Sequence, residues 1–223
     1  MAIIKGKKGV FFTISAIVII ASVFAPLLFQ AEFQQSERGK VVSVRADTLN
    51  SFVKSIDNDL ERGLFIAGFR SILAANQRVG DINDFLTDSR ANLAEAIVNG
   101  TIEGTSYDIM NQSTIPEWVI RIETEATNIG ILLNLTHNKV LVNQSSPWSI
   151  TILANISYNA TDISNTATFH RNKLITKDIS LIGFRDPIYT IFTSGKVLRT
   201  VNSTSYEGNY TQGLNTNNLQ QHV

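Results

Sequence analysis

Trp148-Ser149-Ile150-Thr151-Ile152-Leu153-Ala154-Asn155-Ile156-Ser157-Tyr158-Asn159 is the stretch from which the fold is read. Trp148, Ile150, Ile152, Ala154, Ile156 and Tyr158 alternate with Ser149, Thr151, Leu153, Asn155, Ser157 and Asn159. Successive strand side chains point to opposite faces, so this period of two describes a half-buried antiparallel strand with one apolar and one polar face. Toward the N-terminus, Ile131, Leu133 and Leu135 alternate with Leu132, Asn134 and Thr136, with turns expected at His137-Asn138-Lys139 and from Asn143 to Pro147. Trp118, Ile120, Ile122, Thr124 and Ala126 alternate with Val119, Arg121, Glu123 and Glu125, which predicts a strand there too. Toward the C-terminus, further strands are expected over Thr166 to Lys173, Leu174 to Ile182 and Tyr189 to Val197. Gly183-Phe184-Arg185-Asp186-Pro187-Ile188-Tyr189 reads as a corner, because Asp-Pro forms turns. These elements make up an expected antiparallel β domain over 116–199. Residues 200–223 are rich in Asn, Thr, Ser, Gly and Gln and predict a polar, disordered tail.

Upstream of Pro116 the period lengthens. Leu49, Phe52, Val53, Ile56, Leu60 and Leu64 recur every three or four residues, drawing one apolar stripe along a helix, with Arg45, Asp47, Lys54, Asp57, Asp59 and Glu61 expected on the opposite side. The helix is expected to run to about Val79 and stop at Gly80. A shorter second helix follows, capped by Asp81 or Asn83, with Phe85, Leu86, Leu93 and Ile97 as its apolar stripe and Asn99-Gly100 as its end. The two would form an extracytoplasmic helical stalk over 30–115. The fold class is therefore α+β: a long N-terminal helix, transmembrane then amphipathic, a short second helix, and a C-terminal antiparallel β-sheet domain.

The transmembrane part rests on Val10 to Phe29, VFFTISAIVIIASVFAPLLF, which lies in a stretch free of charge from Val10 to Ala31. Twenty residues rising about 1.5 Å each span roughly 30 Å, the thickness of a bilayer's hydrocarbon core. Lys5, Lys7 and Lys8 precede the segment and Glu32 follows it. The positive-inside tendency then places residues 1–9 in the cytoplasm as a basic leader, 10–29 in the cell membrane, and the remainder outside the cell. The alternative is a cleaved secretory signal with an apolar stretch from Val10 to Ala25. Pro26 directly after Val23-Phe24-Ala25 argues against cleavage there, and Phe29 is bulky for a cut after Ala31.

Composition narrows the function classes. Basic and acidic residues are equal at 19 each, and three of the basic ones are the N-terminal lysines, so Glu32 to Val223 carries 16 basic against 19 acidic residues. That leaves no cationic reservoir for phosphate backbones, and no nucleic-acid partner is expected. The chain has no cysteine, which removes disulfides, thiolate nucleophiles and cysteine-bound metals. His137, His170 and His222 are widely separated, without a helical ligand pair, and Gly195-Lys196 lacks the rest of a phosphate loop. Nucleophile-elbow and dinucleotide patterns are also missing. Asp57, Asp59 and Glu61 alternate like early calcium ligands but without the turn glycine, so a solvated helix face is the better reading. Asp81, Asn83, Asp84 and Asp88 surround a helix start, where capping and the helix dipole already account for them. No catalytic residue, metal site or cofactor is expected.

Asn-X-Ser/Thr acceptors begin at Asn99, Asn111, Asn134, Asn143, Asn155, Asn159, Asn202 and Asn209. All lie beyond the apolar segment, as sugar attachment outside the membrane requires. Asn155 and Asn159 fall on the polar face of the Trp148–Asn159 strand.

A basic leader ending Lys7-Lys8-Gly9, an uninterrupted apolar helix and an extracytoplasmic sheet domain together resemble the type IV pilin-like proteins of archaea. Ile179-Ser180-Leu181-Ile182-Gly183-Phe184-Arg185-Asp186-Pro187-Ile188-Tyr189 is similar to a strand-plus-Asp-Pro-x-Tyr pattern in archaeal surface proteins with such N-termini. The resemblance implies cleavage after Gly9 by a membrane peptidase, a mature chain beginning at Val10, and packing of the apolar helix against like subunits. Many such subunits carry a glutamate at the position of Ile14 and a smaller residue at that of Phe11. The function expected is that of a non-enzymatic, glycosylated cell-surface subunit. The alternative is a single-pass binding or adhesion protein that does not polymerise and meets a surface-layer or glycan partner.

Overall fold

The alternation around Ile152 becomes the middle strand of a three-stranded antiparallel sheet. The computed structural model describes residues 5–203, with side chains described for 14–24, 39–144 and 146–203. Helix α1 covers Lys5–Ile82 and α2 covers Ser89–Asn99; a two-residue hairpin, β1 Thr101–Ile102 and β2 Thr105–Ser106, and a single 3-10 turn at Asp108–Met110 follow. Then come α3 Ile115–Asn128, β3 Ile131–Ser146, β4 Ser149–Asp162, β5 Thr168–Ser180 and the short α4 Pro187–Phe192. The sheet order is β3-β4-β5. The architecture is thus mixed helix and sheet, with one long helix and an antiparallel sheet.

The chain divides into two compact units, one up to Thr48 and one from Leu49 onward. In the first, the described side chains of α1 from Ile14 to Phe24 include a run of exposed apolar groups. Among the described residues no helix is long and apolar enough to cross a membrane. The expected span runs from Val10 to Phe29; the side chains of 10–13 and 25–29 lie outside the described residues.

The second unit holds the core. Leu49, Val53, Ile56, Leu60, Leu64 and Ala67 are buried along one face of α1, at the spacing that brings side chains together on a helix. Against them lie Ile150, Ile152, Ala154, Ile156, Tyr158 and Ala160 of β4, every second residue, with Ile175 and Ile179 of β5 and Ile131, Leu135 and Val142 of β3. Burying each such isoleucine or leucine stabilises the fold by about 1.5–3 kcal/mol relative to exposure. Two glycines set how closely α1 approaches its neighbours. A Cβ on Gly68 would run into the tips of Ile152 and Ile179, and one on Gly63 would meet the Trp118 ring at 2.8 Å. A second cluster, Ala74, Ala96, Ile102, Tyr107 and Met110, joins the far part of α1 to α2 and the small hairpin.

Several sequence expectations are corrected. The strand expected from Trp118 to Ala126 is helix α3. Ile115, Val119, Ile122 and Ala126 also fit a helical spacing, and Thr114 and Glu117 close a reciprocal capping box with Pro116 in the first turn. The strand expected over Tyr189 to Val197 begins instead as α4, because the Asp186 carboxylate caps it by accepting from the Ile188 N–H at 3.0 Å and Pro187 follows at the first helical position. Thr166 to Lys173 and Leu174 to Ile182 are one strand, not two. His137 to Lys139 is no turn: β3 passes through it with a register shift, and the hairpin turns at Pro147-Trp148, between paired Ser146 and Ser149. Helix α1 continues past Gly80 to Ile82, after which Asn83 turns left-handed at φ 52°. The second helix begins only at Ser89, capped by Asp88, and ends as expected at a left-handed Gly100.

The C-terminal stretch is tied back. Gly183 N–H donates to Val201 O at 2.9 Å, Val201 N–H to Phe184 O at 2.8 Å and Asp186 N–H to Arg199 O at 2.8 Å. The tail expected from Thr200 is thus corrected at its first residues, since Thr200 and Val201 are tied back; residues 204–223 lie outside the described residues.

Candidate functional site

Three regions of the second unit gather polar side chains. The first is the outer face of the sheet. Asn134 of β3 sits directly opposite Asn159 of β4, and Asn159 sits opposite His170 of β5. Directly opposed residues of an antiparallel pair place their Cβ atoms about 4.5–5.5 Å apart, so two acceptor asparagines are immediate neighbours. Asn134 and Asn159 are exposed, and Asn155 and Asn143 are half-buried on their strands. The remaining described acceptors are exposed and outside the sheet: Asn99 ends α2, Asn111 follows the 3-10 turn, and Asn202 follows the Arg185–Thr200 bridge. Asn209 lies outside the described residues. Gly9 and Val10 fall on the backbone of α1, with the Val10 side chain outside the described residues.

The opposite face of β5 meets α1 through charge. Asp57 pairs with Arg171 at 2.8 Å and Lys173 at 3.3 Å, and Glu61 with Lys177 at 3.5 Å. The buried Tyr158 hydroxyl donates to Asp57 at 3.1 Å. Burial first, and the neighbouring Asp57 carboxylate second, push the Tyr158 pKa up to about 12. Asp57 and Glu61, expected on a solvated helix face opposite the apolar stripe, instead face β5 and cross-link helix and sheet. Asp59 points elsewhere and lines a separate groove.

That groove, the second region, has a volume of about 460 Å³ between α1 and the start of α3. Arg62, Arg70, Arg121 and Trp118 line it. Two of its arginines hold the 109–113 loop: Arg70 donates to the Ser113 hydroxyl and, at 3.4 Å, to the carbonyls of Ile109 and Asn111, and Arg121 donates to Gln112 O at 2.7 Å. Glu117 accepts from the Thr114 hydroxyl at 2.7 Å, and that bond, ahead of the backbone N–H groups it also receives, holds its carboxyl below the usual range.

The third region is a larger groove of about 690 Å³ between the last turns of α1 and the segment 185–198. Leu73, Asn76, Gln77, Gly80 and Asp81 supply the helix wall, at spacings that put them on one face. Arg185, Thr190 and Leu198 supply the other wall, and Ile109 an end. The exposed rings of Phe85 and Phe192, 6.4 Å apart, tie the chain just beyond α1 to α4.

No family model, curated protein or solved structure matches this chain. Its function is therefore read from its own residues.

Elsewhere carboxylates are taken up by the fold. Glu103 accepts from Arg78 at 3.1 Å and from the Thr87 N–H and hydroxyl, and the Thr87 backbone bond is the largest of the effects that lower its pKa. Glu95 accepts from the Thr101 hydroxyl at 2.6 Å and the Gly104 N–H at 3.0 Å. Among the described residues no group of three or more His, Asp or Glu is placed to hold a metal ion. His137 is half-buried at the β3 bulge, His170 is exposed on the outer sheet face, and His222 lies outside the described residues. Sequence reasoning did not find the 690 Å³ groove. Its walls are more than a hundred residues apart in the chain, and the one local signal, Asp186-Pro187, suits a turn as well as the helix start that it makes.

Proposed function

We propose that this chain is a non-enzymatic, membrane-anchored surface protein of pilin-like type. The residues over 10–29 enter the bilayer, the N-terminus stays cytoplasmic, and the sheet-bearing unit faces outside the cell as a glycoprotein. One observation carries the reading. Ile17, Val18, Ile19 and Ile20 are consecutive on α1 and 65%, 60%, 63% and 57% exposed. Four consecutive positions at 100° steps cover nearly the whole circumference of a helix, so this stretch offers apolar surface on every side. A helix apolar all round belongs in a large core or in lipid. Of the two serines described in this stretch, Ser15 and Ser22, the Ser22 hydroxyl is quenched internally by donating to Ile19 O at 2.8 Å. The basic leader ending Lys7-Lys8-Gly9 supports processing after Gly9, with Val10 as the new terminus and the exposed apolar helix free to pack against like subunits.

The test is the intact mass and N-terminal sequence of protein isolated from its native membrane. A chain beginning at Val10, heavier than its sequence at the acceptor asparagines, is expected. A chain beginning at Met1 or Ala2 would discard the pilin mechanism, and recovery in the soluble fraction would discard the anchor as well. A second reading, a single-pass binding protein that does not polymerise, is favoured by the 690 Å³ groove, whose polar walls no assembly role requires.

A further inference from the structure

We propose that a saccharide attached at Asn155 lies back on the outer face of the sheet and covers a leucine patch there. The inference deepens the glycoprotein reading and rests on it. The patch comes first. Leu141 of β3 stands directly opposite Leu153 of β4, and Leu174 of β5 stands one pair further along, opposite Asn155. All three point away from the core: Leu141 and Leu174 are 47% and 61% exposed, and Leu153 is half-buried. Thr151, Ser157, Asn172 and Thr176 surround them, so the leucines form an apolar island on a polar face. Helix α1 packs on the other face. Three leucines are too little surface for a stable protein contact, which takes about 800 Å² from each partner.

The acceptors stand around this island. All four acceptor asparagines of the sheet, Asn134, Asn143, Asn155 and Asn159, share the outer face, and their side-chain amides have no hydrogen-bond partner among the described residues. A polar residue belongs on that face in any case, so what singles out Asn155 is its neighbours. Directly opposed residues place their Cβ atoms about 4.5–5.5 Å apart, which sets Asn155 beside Leu174. Leu153, two residues back on the same strand and the same face, is about 7 Å away. Attachment joins the Asn155 amide nitrogen to the anomeric carbon of a sugar carried on a lipid phosphate. The N–C bond forms, the C–O bond to phosphate breaks, the phosphate leaves with the electron pair, and the amide gives up one proton. The first ring is then tethered next to Leu174 and Leu153, and its C–H face removes their apolar surface from water.

Two measurements on protein from its native membrane test the cover. Glycopeptide mass spectrometry is expected to find sugar at Asn155. A bare Asn155 beside sugar at other acceptors overturns the cover and leaves the glycoprotein reading intact; no sugar at any acceptor overturns both. The second measurement asks whether the sugar touches the leucine. Ser157→Ala abolishes the acceptor while keeping Asn155, and Ser157→Thr preserves it. Leu174→Ser is made in the parent and in each of these, and the fall in urea midpoint is read on the full chain in detergent. That fall is expected to be at least twice as large in the parent and in Ser157→Thr as in Ser157→Ala. Equal falls in all three describe a sugar standing off in solvent and overturn the proposal. Neither readout depends on where the chain begins, so failure here is separable from failure of the pilin mechanism.

Discussion

Tyr158 joins the middle strand to α1 by a hydrogen bond to the same Asp57 that Arg171 and Lys173 of β5 pair with, and its surroundings fix what its loss should do. Its hydroxyl is held beside a carboxylate, so Tyr158→Phe removes a hydrogen bond to a charged group and should cost about 1.5–3 kcal/mol in urea unfolding. The same change should alter the alkaline limb of stability. With the folded pKa raised above the unfolded value of 10.0, the contribution is complete below the unfolded value and is lost as pH rises through about 12. The Phe variant should therefore show a flatter decline between these values; an unchanged slope would mean that Tyr158 is not the titrating group. Gly68 makes an opposite kind of demand, for absence of a side chain. Gly68→Ala gains helix propensity of about 1 kcal/mol but overpacks Ile152 and Ile179, at a cost of about 1–3 kcal/mol. A net loss of roughly 1 kcal/mol is expected, and a more stable variant would show that the two isoleucine tips yield freely. Thr190→Val should stabilise the protein by about 1–3 kcal/mol in urea unfolding by removing a buried hydroxyl that has no partner among the described residues.

Among the elements, α3 depends most on its first turn. Thr114 accepts from the Glu117 N–H and donates to the Glu117 carboxylate, while Glu117 also takes the Thr114 N–H at 3.1 Å. Thr114→Ala should lower stability by about 1 kcal/mol, measured as a shift in urea midpoint without change in slope. That capping box is present in the sequence as Thr-x-x-Glu, but Trp118 to Ala126 satisfies a period of two as well as one of 3.6, so the alternation by itself predicts a strand where the cap starts a helix. Strand β4 had no such ambiguity: its inner positions from Ile150 to Ala160 are all apolar and every one is buried. The α1 stripe was equally plain, because Leu49, Val53, Ile56, Leu60 and Leu64 face one core. What could not be read locally is contact between distant segments. Nothing near Gly63 announces that the Trp118 ring will lie over it, and nothing near Asn76 announces Thr190.

For the whole molecule, the decisive property is the apolar circumference of α1 between Ile14 and Phe24. On the proposed anchor, a single lysine at Ile19 should move a measurable share of the protein from the carbonate-washed membrane pellet to the supernatant, since a cation at mid-bilayer costs about 2.5–3.5 kcal/mol on insertion scales. Unchanged partitioning of Ile19→Lys would place the anchor elsewhere. The acceptor asparagines carry a further consequence, concerning time. Asn155 and Asn159 lie on a strand hydrogen-bonded along both edges, whereas Asn99, Asn111 and Asn202 lie outside the sheet. A transferase needs a flexible acceptor peptide, and β4 offers one only before it is zipped between its neighbours. Sugar at Asn202 would record how long the finished protein met the enzyme; sugar at Asn159 would record how long the chain waited to fold. On the proposed glycosylation, slowing folding should raise the second and leave the first unchanged, so the ratio of the two occupancies would work as a clock for closure of the sheet.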